Sequence, residues 1–184
     1  SLALDPDLII ADEPTTALAV IVQDQILKRL KELRDELGIS VIIISHDISV
    51  IAETCNRLGV MYSGKLMEYG NLKEIFANPY NPYTLGLQNA FPTLRGEQAD
   101  LISIPGSPPD IADLPDGCRF MDRCPFATEA CGGEHPPLET VGEDHASACY
   151  HHERIEQMRA DAAKRETWDQ LRAEIAPSGG AGDD

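Results

Sequence analysis

Residues 8–14 read Leu-Ile-Ile-Ala-Asp-Glu-Pro, and this stretch decides the fold class. A short, continuously apolar run that ends in carboxylates is typical of a strand buried on both faces of a parallel sheet. A second run of this kind, residues 41–44 (Val-Ile-Ile-Ile), ends at Ser-His-Asp. Between the two runs, apolar residues recur at helical spacing up to Gly38, a natural C-cap: Val22, Ile26, Leu30, Leu33 and Leu37. The order strand, helix, strand predicts an α/β fold with a parallel sheet and flanking helices.

The texture of the sequence changes towards the C-terminus. Residues 58–62 and 65–69 predict a hairpin that turns at Ser63-Gly64. Most of the prolines and four of the five cysteines follow, in a stretch with little hydrophobic periodicity. Such a stretch usually needs disulfides or a bound metal to stabilise it. A helical stripe returns with Trp168, which we expect to anchor the last helix. We predict three parts: an α/β part (1–78), an irregular Cys-rich extension (79–151), and a helical segment with a flexible acidic tail (152–184).

Charge and length limit the possible functions. Acidic residues outnumber basic ones 31 to 15, which gives a formal net charge of −16. Such a chain lacks the basic footprint that binds nucleic acid, and its charge disfavours anionic lipid. No apolar run reaches the roughly 18 residues of a membrane span. The chain begins at Ser1 in what reads as a helix, so we expect the C-terminal portion of a longer protein.

Chemically capable side chains follow both predicted parallel strands. Asp12 and Glu13 end the first strand, and His46 comes directly after the second. Ligand sites of open α/β sheets gather at the carboxyl ends of the strands. An aspartate there can hold Mg²⁺ through water, a neighbouring glutamate can deprotonate a water, and a histidine can reach a transferred phosphate. The alternative is that the carboxylates only cap a strand and His46 only begins a turn.

The amino-acid sequences of these segments resemble those of one protein family. Residues 8–18 resemble the Walker B motif and following D-loop of ABC-transporter ATPases, and residues 43–47 resemble their switch-histidine loop. Further segments are similar to the oligopeptide/dipeptide importer branch and its C-terminal extension: 62–65, 74–79, 82–84, 104–109 and 117–120. The resemblance covers residues 1 to about 151 and is to the C-terminal portion of the ATP-binding subunit, beginning just after the ABC signature motif.

The resemblance implies a role for each matching residue. Asp12 would support Mg²⁺ through water, Glu13 would be the general base, and His46 would sense the γ-phosphate of ATP. The D-loop would comprise Thr15, Thr16, Ala17, Leu18 and Ala19. The fold implied is part of a P-loop-type parallel sheet, the C-terminal half of an ABC ATPase domain. Such a subunit pairs with a second ABC ATPase subunit, works with two transmembrane permease subunits and indirectly with a solute-binding protein, and lies peripherally on the cytoplasmic face of the cell membrane.

Two departures from the family pattern affect activity. Ala19 stands where the D-loop usually carries an aspartate that couples the two sites of the dimer. The phosphate-cradling loop G-x-x-x-x-G-K-[ST] is missing, because the Gly64-Lys65 pair is followed by Leu66. The ABC signature is missing too. We therefore expect ATPase activity from the full-length subunit and none from these 184 residues alone.

The cysteines form a second constellation: Cys118, Cys124, Cys131 and Cys149, separated by 5, 6 and 17 residues. Four thiolates can complete a zinc site or hold an iron–sulfur cluster. The alternatives are reduced cysteines that bind no metal, or disulfides. Residues 118–128 and 148–149 resemble the cysteine motif of peptide importers, which implies a [4Fe–4S] cluster ahead of zinc. Four histidines lie nearby, and we expect them to face solvent: His135, His145, His151 and His152.

Two functions follow from the sequence. The first is part of the ATP-hydrolysing subunit of an ABC importer for peptides or a related solute. The alternative is a non-catalytic, metal-binding regulatory module derived from such an ATPase, and an unrelated zinc-stapled α/β protein is a third reading. A shortened sheet would expose unpaired edges, so we also predict that the isolated chain is marginally stable or prone to aggregate.

Overall fold

The computed structural model describes residues 6–16, 18–90 and 101–175. It divides into two compact units, Ser1–Asn56 (unit 1) and Arg57–Asp184 (unit 2). The predicted first helix turn (1–4) and acidic tail (177–184) lie outside the described residues. Within the described ranges, no helix is long and apolar enough to cross a membrane. The predicted division of the chain into three parts, with boundaries after residues 78 and 151, stays a prediction.

Unit 1 is the predicted strand–helix–strand arrangement, extended by one short helix. Its elements are β1 (Leu8–Asp12), α1 (Val20–Leu37), β2 (Ser40–Ile44) and α2 (Ile48–Thr54). The two strands pair in parallel, with Leu8 opposite Ser40 and Asp12 opposite Ile44. Gly38 ends α1 in the left-handed conformation, φ 66°, and its N–H donates to the carbonyl of Arg34. Asp47 caps α2 by accepting from the N–H of Ser49, as its side chain predicts.

The two-stranded sheet of unit 1 exposes one apolar face. Paired residues of a parallel sheet point to the same side, so alternate positions of β1 and β2 share a face. The exposed face carries four large aliphatic residues that are between 46% and 62% exposed: Leu8, Ile10, Ile42 and Ile44. Parallel sheets are normally covered on both faces, so this surface departs from the fully buried strands that the sequence predicts.

Unit 2 is built on a four-stranded antiparallel sheet. Its strands are β3 (Arg57–Tyr62), β4 (Lys65–Asn71), β5 (Glu139–Gly142) and β6 (His145–Ser147), in the spatial order β3-β4-β6-β5. The predicted hairpin forms β3 and β4, and its turn holds Ser63 and Gly64 at positive φ. The extension is less irregular than predicted, because β6 pairs with β4. β5 and β6 are four and three residues long and mostly polar, too short for alternation to reveal them.

The described residues of unit 2 also form the α-helices α3 (Leu72–Ala77), α4 (Pro82–Ala90), α5 (Ile155–Ala162) and α6 (Arg165–Ile175). The apolar faces of α4, α5 and α6 meet around Trp168, which is fully buried and donates from Nε1 to the carbonyl of Ala162 at 2.8 Å. Phe120 and Met158 are packed into the same cluster. The prediction that Trp168 anchors the last helix is confirmed.

A buried polar group joins the extension to the hairpin. Glu68 on β4 is fully buried, and its Oε1 accepts from the N–H of Tyr80 and contacts Nε2 of His145, both at 2.6 Å. Asn81 donates to the carbonyls of both Met67 and Ala148. The expectation that His145 faces solvent is therefore wrong. The sequence separation of 77 residues between Glu68 and His145 hides the pairing from local patterns.

Candidate functional site

The carboxyl ends of β1 and β2 bring the predicted catalytic residues together. Asp12 is the last residue of β1, and the N–H of Glu13 continues the pairing by donating to the carbonyl of Ile44 at 2.9 Å. His46 begins the turn after β2, and its Nδ1 lies 2.9 Å from Glu13 Oε1. The backbone N–H of His46 donates to the same oxygen at 3.1 Å. The two strand ends therefore hold a paired carboxylate and imidazole beside an exposed Asp12.

Thr16 completes the hydrogen bonding of the Glu13 carboxylate. Its hydroxyl donates to Glu13 Oε2 at 2.7 Å, while its N–H donates to the Glu13 carbonyl at 3.2 Å. Both carboxylate oxygens thus have donors. Glu13 itself adopts φ 46°, in the left-handed region that a non-glycine residue seldom occupies. Such strain concentrates where a side chain must be aimed, and here it directs Glu13 towards His46.

The pairing shifts the acidity of both groups. The hydrogen bond from His46, and after it the bond from Thr16, lowers the pKa of Glu13. The hydrogen bond to Glu13, followed by the charge of that carboxylate, raises the pKa of His46 above 6.5. Both groups are open to solvent, so water screens the interaction. A carboxylate held in this way is a weaker base than a free one.

A cavity of about 190 Å³ opens beside this pair. It is lined by Glu13, Thr15, Thr16, Leu18, Gln23, Ser45, His46 and Asp47. Ligand pockets usually measure about 300 Å³ or more, so this volume suits a phosphate group and water better than a whole nucleotide. Gln23, Ser45 and Asp47 were not predicted as site residues. Asp47 links them, accepting from Gln23 Nε2 at 3.5 Å while its N–H donates to Ser45 Oγ.

The residues of the predicted D-loop occupy different environments. Thr15 is buried, while Leu18 and Ala19 are exposed. Ala17 lies outside the described residues. Ala19 occupies the N-cap position of α1 and makes no side-chain cap hydrogen bond, because alanine has no acceptor.

The four extension cysteines line one cavity of about 20 Å³ in unit 2. All four are free thiols: Cys118, Cys124, Cys131 and Cys149. Burial is the main cause that raises the pKa of three of them, strongly for Cys124 and to about 11 for Cys149. The charges of neighbouring thiols add to the rise at each of these three sites. The structure therefore gathers residues that stand up to 31 positions apart in the sequence.

Local backbone contacts explain how the thiols converge. The N–H of Cys118 donates to the carbonyl of Cys131 at 2.8 Å. A Cβ at Gly117 would lie 2.3 Å from that carbonyl oxygen, so glycine is required for the close approach. Cys149 enters from the sheet, because Ala148 donates to the carbonyl of Met67 beyond the end of β6. Single 3₁₀ turns at Met121–Arg123 and Glu129–Gly132 position the remaining two thiols.

The arrangement gives no direct support to a metal ion. Across residues 6–16, 18–90 and 101–175, no three His, Cys, Asp or Glu side chains lie close enough together to hold one. The predicted cluster, and zinc as its alternative, therefore stay predictions. The expectation that the histidines face solvent is wrong for His152, whose side chain is 18% exposed. It is also wrong for His151, whose side chain is 14% exposed and whose Nε2 lies 3.7 Å from Cys131 Sγ. Twenty residues separate these two side chains, so spacing alone gave no signal.

Comparisons with known proteins show that the chain is similar to peptide-transport ATP-binding proteins. Residues 67–131 match the family described as the oligopeptide/dipeptide transporter, C-terminal region. The chain is 48% identical over 145 residues to the oligopeptide transport ATP-binding protein OppD of Salmonella typhimurium, covering 79% of this chain and 43% of that protein. OppD of Haemophilus influenzae is 50% identical, covering 79% and 45%. A putative peptide import ATP-binding protein of Brucella ovis is 46% identical, covering 81% and 46%.

The resemblance to the ATP-binding subunits of oligopeptide/dipeptide ABC importers is therefore confirmed, over the C-terminal portion of those proteins. The chain spans less than half the length of the curated relatives it matches. A solved structure, CbiO1 from Clostridium perfringens, described as part of the ABC transporter complex CbiONQ, is 40% identical and covers 40% of this chain and 30% of that chain. Its TM-score of 0.38 is too low to establish a shared fold. The mixed α/β class is confirmed by the elements of the structure themselves.

Proposed function

We propose that this chain is part of the ATP-hydrolysing subunit of an ABC importer for di- or oligopeptides or a related solute. One observation carries the proposal: Glu13 and His46 are hydrogen-bonded at the carboxyl ends of two parallel strands, directly beside Asp12. Phosphoryl transfer needs a cation holder, a water-activating base and a group that reaches the phosphate, and the three side chains are of those types. The similarity to peptide-importer ATP-binding proteins supports the same assignment.

Each side chain then has a definite task. Asp12 would hold Mg²⁺, which would supply positive charge beside the phosphates, and Glu13 would accept the proton of the attacking water at a carboxylate oxygen. His46 releases Glu13 Oε1 and turns to the γ-phosphate of ATP, which frees the carboxylate to act as a base. Thr16 keeps the other oxygen, Oε2, in place during this change.

The chain acts only as part of a larger assembly. ATP binding needs a phosphate loop with its backbone amides and lysine, and the sequence holds no such motif. We propose that a full-length subunit supplies it and that these 184 residues alone do not hydrolyse ATP. The partners would be a second ABC ATPase subunit, two permease subunits and, indirectly, a solute-binding protein, with the subunit lying peripherally on the cytoplasmic face of the membrane.

The second part of the proposal is a metal centre at the four cysteines of unit 2, inferred from the chemistry of their side chains. Its donor set of four free thiols is the one that holds zinc or a [4Fe–4S] cluster. Zinc needs its sulfurs about 2.3 Å from one point. A cluster spreads its four thiolates over separate irons, so it suits thiols that share a cavity without crowding one point. We propose the cluster, with zinc as the alternative, and a structural or sensory role.

A chimera tests the ATPase proposal. The matching C-terminal portion of Salmonella OppD is replaced by this chain, and ATP hydrolysis is compared between the chimera and its Glu13→Gln variant. Loss of a general base lowers the rate by about 10²–10⁴-fold, so we expect a fall of at least about 100-fold. A matched control, Asp24→Asn on the exposed side of α1, should keep the parent rate. Equal rates for the parent and Glu13→Gln would overturn the assignment.

The alternative function is a non-catalytic, metal-binding regulatory module. The observation that favours it is that the cysteines belong to unit 2, which has its own buried core, while Glu13 and His46 belong to unit 1. A chimera that binds iron but hydrolyses no ATP, with or without Glu13→Gln, would favour this module.

A further inference from the structure

His151 contacts two of the four thiol sulfurs in the cysteine cavity. Its backbone N–H donates to Cys149 Sγ at 3.4 Å, and its ring Nε2 lies 3.7 Å from Cys131 Sγ. The ring lines the same cavity as the thiols. Four cysteines already complete the ligand set of a cluster or of zinc, so ligation does not account for a mostly buried imidazole at this position.

Thr128 holds the imidazole against the sulfur. Its Oγ1 lies 3.0 Å from His151 Nε2 and 3.9 Å from Cys131 Sγ, so the three groups form a triangle. The other ring nitrogen, Nδ1, lies 3.8 Å from Glu153 Oε1, too far for a hydrogen bond. The contacts of Nε2 are therefore the ones that fix the ring.

The direction of the hydrogen bonds follows from the chemistry of a bound thiolate. A cysteine that binds metal is deprotonated, and its sulfur can then only accept. The tautomer that satisfies all three contacts has the Thr128 hydroxyl donating to Cys131 Sγ and the Nε2–H of His151 shared between Thr128 Oγ1 and Cys131 Sγ. Both place a partial positive charge beside Cys131 Sγ, and the backbone N–H of His151 does the same at Cys149.

We propose that His151, supported by Thr128, is a positioning residue that hydrogen-bonds the Cys131 thiolate and raises the reduction potential of the cluster. This inference rests on the iron–sulfur cluster proposed above. Reduction adds negative charge to the cluster and its sulfurs, so donors aimed at a sulfur stabilise the reduced state more than the oxidised one. The imidazole contributes through its side chain, which a substitution removes, while the bond to Cys149 comes from the backbone and stays.

The test is a potentiometric titration of the 184-residue chain. The protein is purified anaerobically, iron and acid-labile sulfide are measured, and the reduced cluster is followed by electron paramagnetic resonance. At a fixed solution potential, we expect His151→Ala to lower the ratio of reduced to oxidised cluster about tenfold, a negative shift of about 59 mV for a one-electron couple. Thr128→Val should shift the ratio in the same direction by less.

His152→Ala is the matched control. His152 is the next residue and is similarly covered, at 18% side-chain exposure, but its Nδ1 faces Glu139 Oε2 at 3.6 Å and not a sulfur. We expect its cluster to titrate as in the parent. A purely structural role for His151 would leave the potential of His151→Ala equal to that of His152→Ala.

The outcomes separate the inference from the proposal beneath it. About four irons and four sulfides per chain with an unchanged potential in His151→Ala would overturn the role of His151 and keep the cluster. A parent chain without iron would overturn the cluster and this inference together. If His151→Ala fails to fold or to hold iron, Thr128→Val decides, because it removes only a hydroxyl and an unchanged potential there contradicts the triangle.

Discussion

The two units differ in how well their sheets are covered. In unit 2, the described strands and helices surround side chains with almost no exposure, with Trp168 at 0% and Phe120 at 1%. In unit 1, the described residues include only two strands, and Ile10 on the exposed face of their sheet is 62% exposed. Yet unit 1 carries Glu13 and His46. The proposed hydrolytic residues therefore sit on the part of the chain that buries the least, and the well-packed part carries the cysteines.

The largest effect is expected in the core of unit 2. Trp168→Ala removes a fully buried indole and its hydrogen bond to Ala162, and such a change costs about 3–5 kcal/mol. Urea unfolding followed by circular dichroism should show the loss, while Gln170→Ala, exposed on the same helix, stays within about 0.5 kcal/mol of the parent. Equal midpoints for the two variants would remove the contrast between the units.

A smaller effect, specific to unit 1, concerns the titration of His46. Glu13→Gln removes the carboxylate that raises the pKa of His46, so we expect that pKa to fall towards 6.5. Imidazole chemical shifts measured against pH by nuclear magnetic resonance report it directly. Thr16→Val should leave the His46 pKa close to the parent value, because Thr16 contacts the other carboxylate oxygen. A His46 pKa unchanged by Glu13→Gln would contradict the pairing.

The same pairing predicts the sign of a pH dependence. The raised pKa of His46 means that its stabilising contribution is present below the unfolded pKa and is lost as the pH rises through the folded value. The lowered pKa of Glu13 means that its contribution is present above the unfolded pKa and is lost as the pH falls through the folded value. The pair is therefore complete only between the lowered pKa of Glu13 and the raised pKa of His46.

The smallest effect on stability is expected from substitutions on the exposed face of the unit 1 sheet. Ile10→Thr with Ile42→Thr keeps two β-branched residues at exposed positions, so the free energy of unfolding should change by less than about 0.5 kcal/mol. Aggregation, followed by light scattering, should nevertheless fall, because the contiguous apolar patch is broken. Ile9→Thr with Val41→Thr, on the less exposed face, should cost more stability. Unchanged scattering in the first pair would exclude this face as the cause.

Sequence reasoning succeeded where local patterns carry the information. The apolar runs predicted β1 and β2, the helical spacing predicted α1, and the strand order predicted that Asp12, Glu13 and His46 would lie at the carboxyl ends of neighbouring strands. The strained backbone of Glu13 and its bond to Thr16 were not predicted, because neither leaves a pattern in residue types.

The failures concern contacts between distant segments. β5 and β6 are too short to alternate, and they exist because β4 offers an edge to pair with. His145 and His151 were expected in solvent, yet they contact Glu68 and Cys131, which lie 77 and 20 residues away. Tertiary packing decides the environment of an isolated histidine, and nothing in its immediate sequence reveals that environment.

Hydrogen exchange of the 184-residue chain tests most directly whether the two units differ as described. If one face of the unit 1 sheet is exposed while unit 2 has its own buried core, backbone amides of β1 and β2 should exchange through low-energy local opening. Those of β3, β4 and β6 should stay protected up to the global free energy of unfolding. Mass spectrometry of peptides that cover residues 8–44, 57–71 and 145–147 gives both rates in one sample. Equal protection of the two regions would contradict the account.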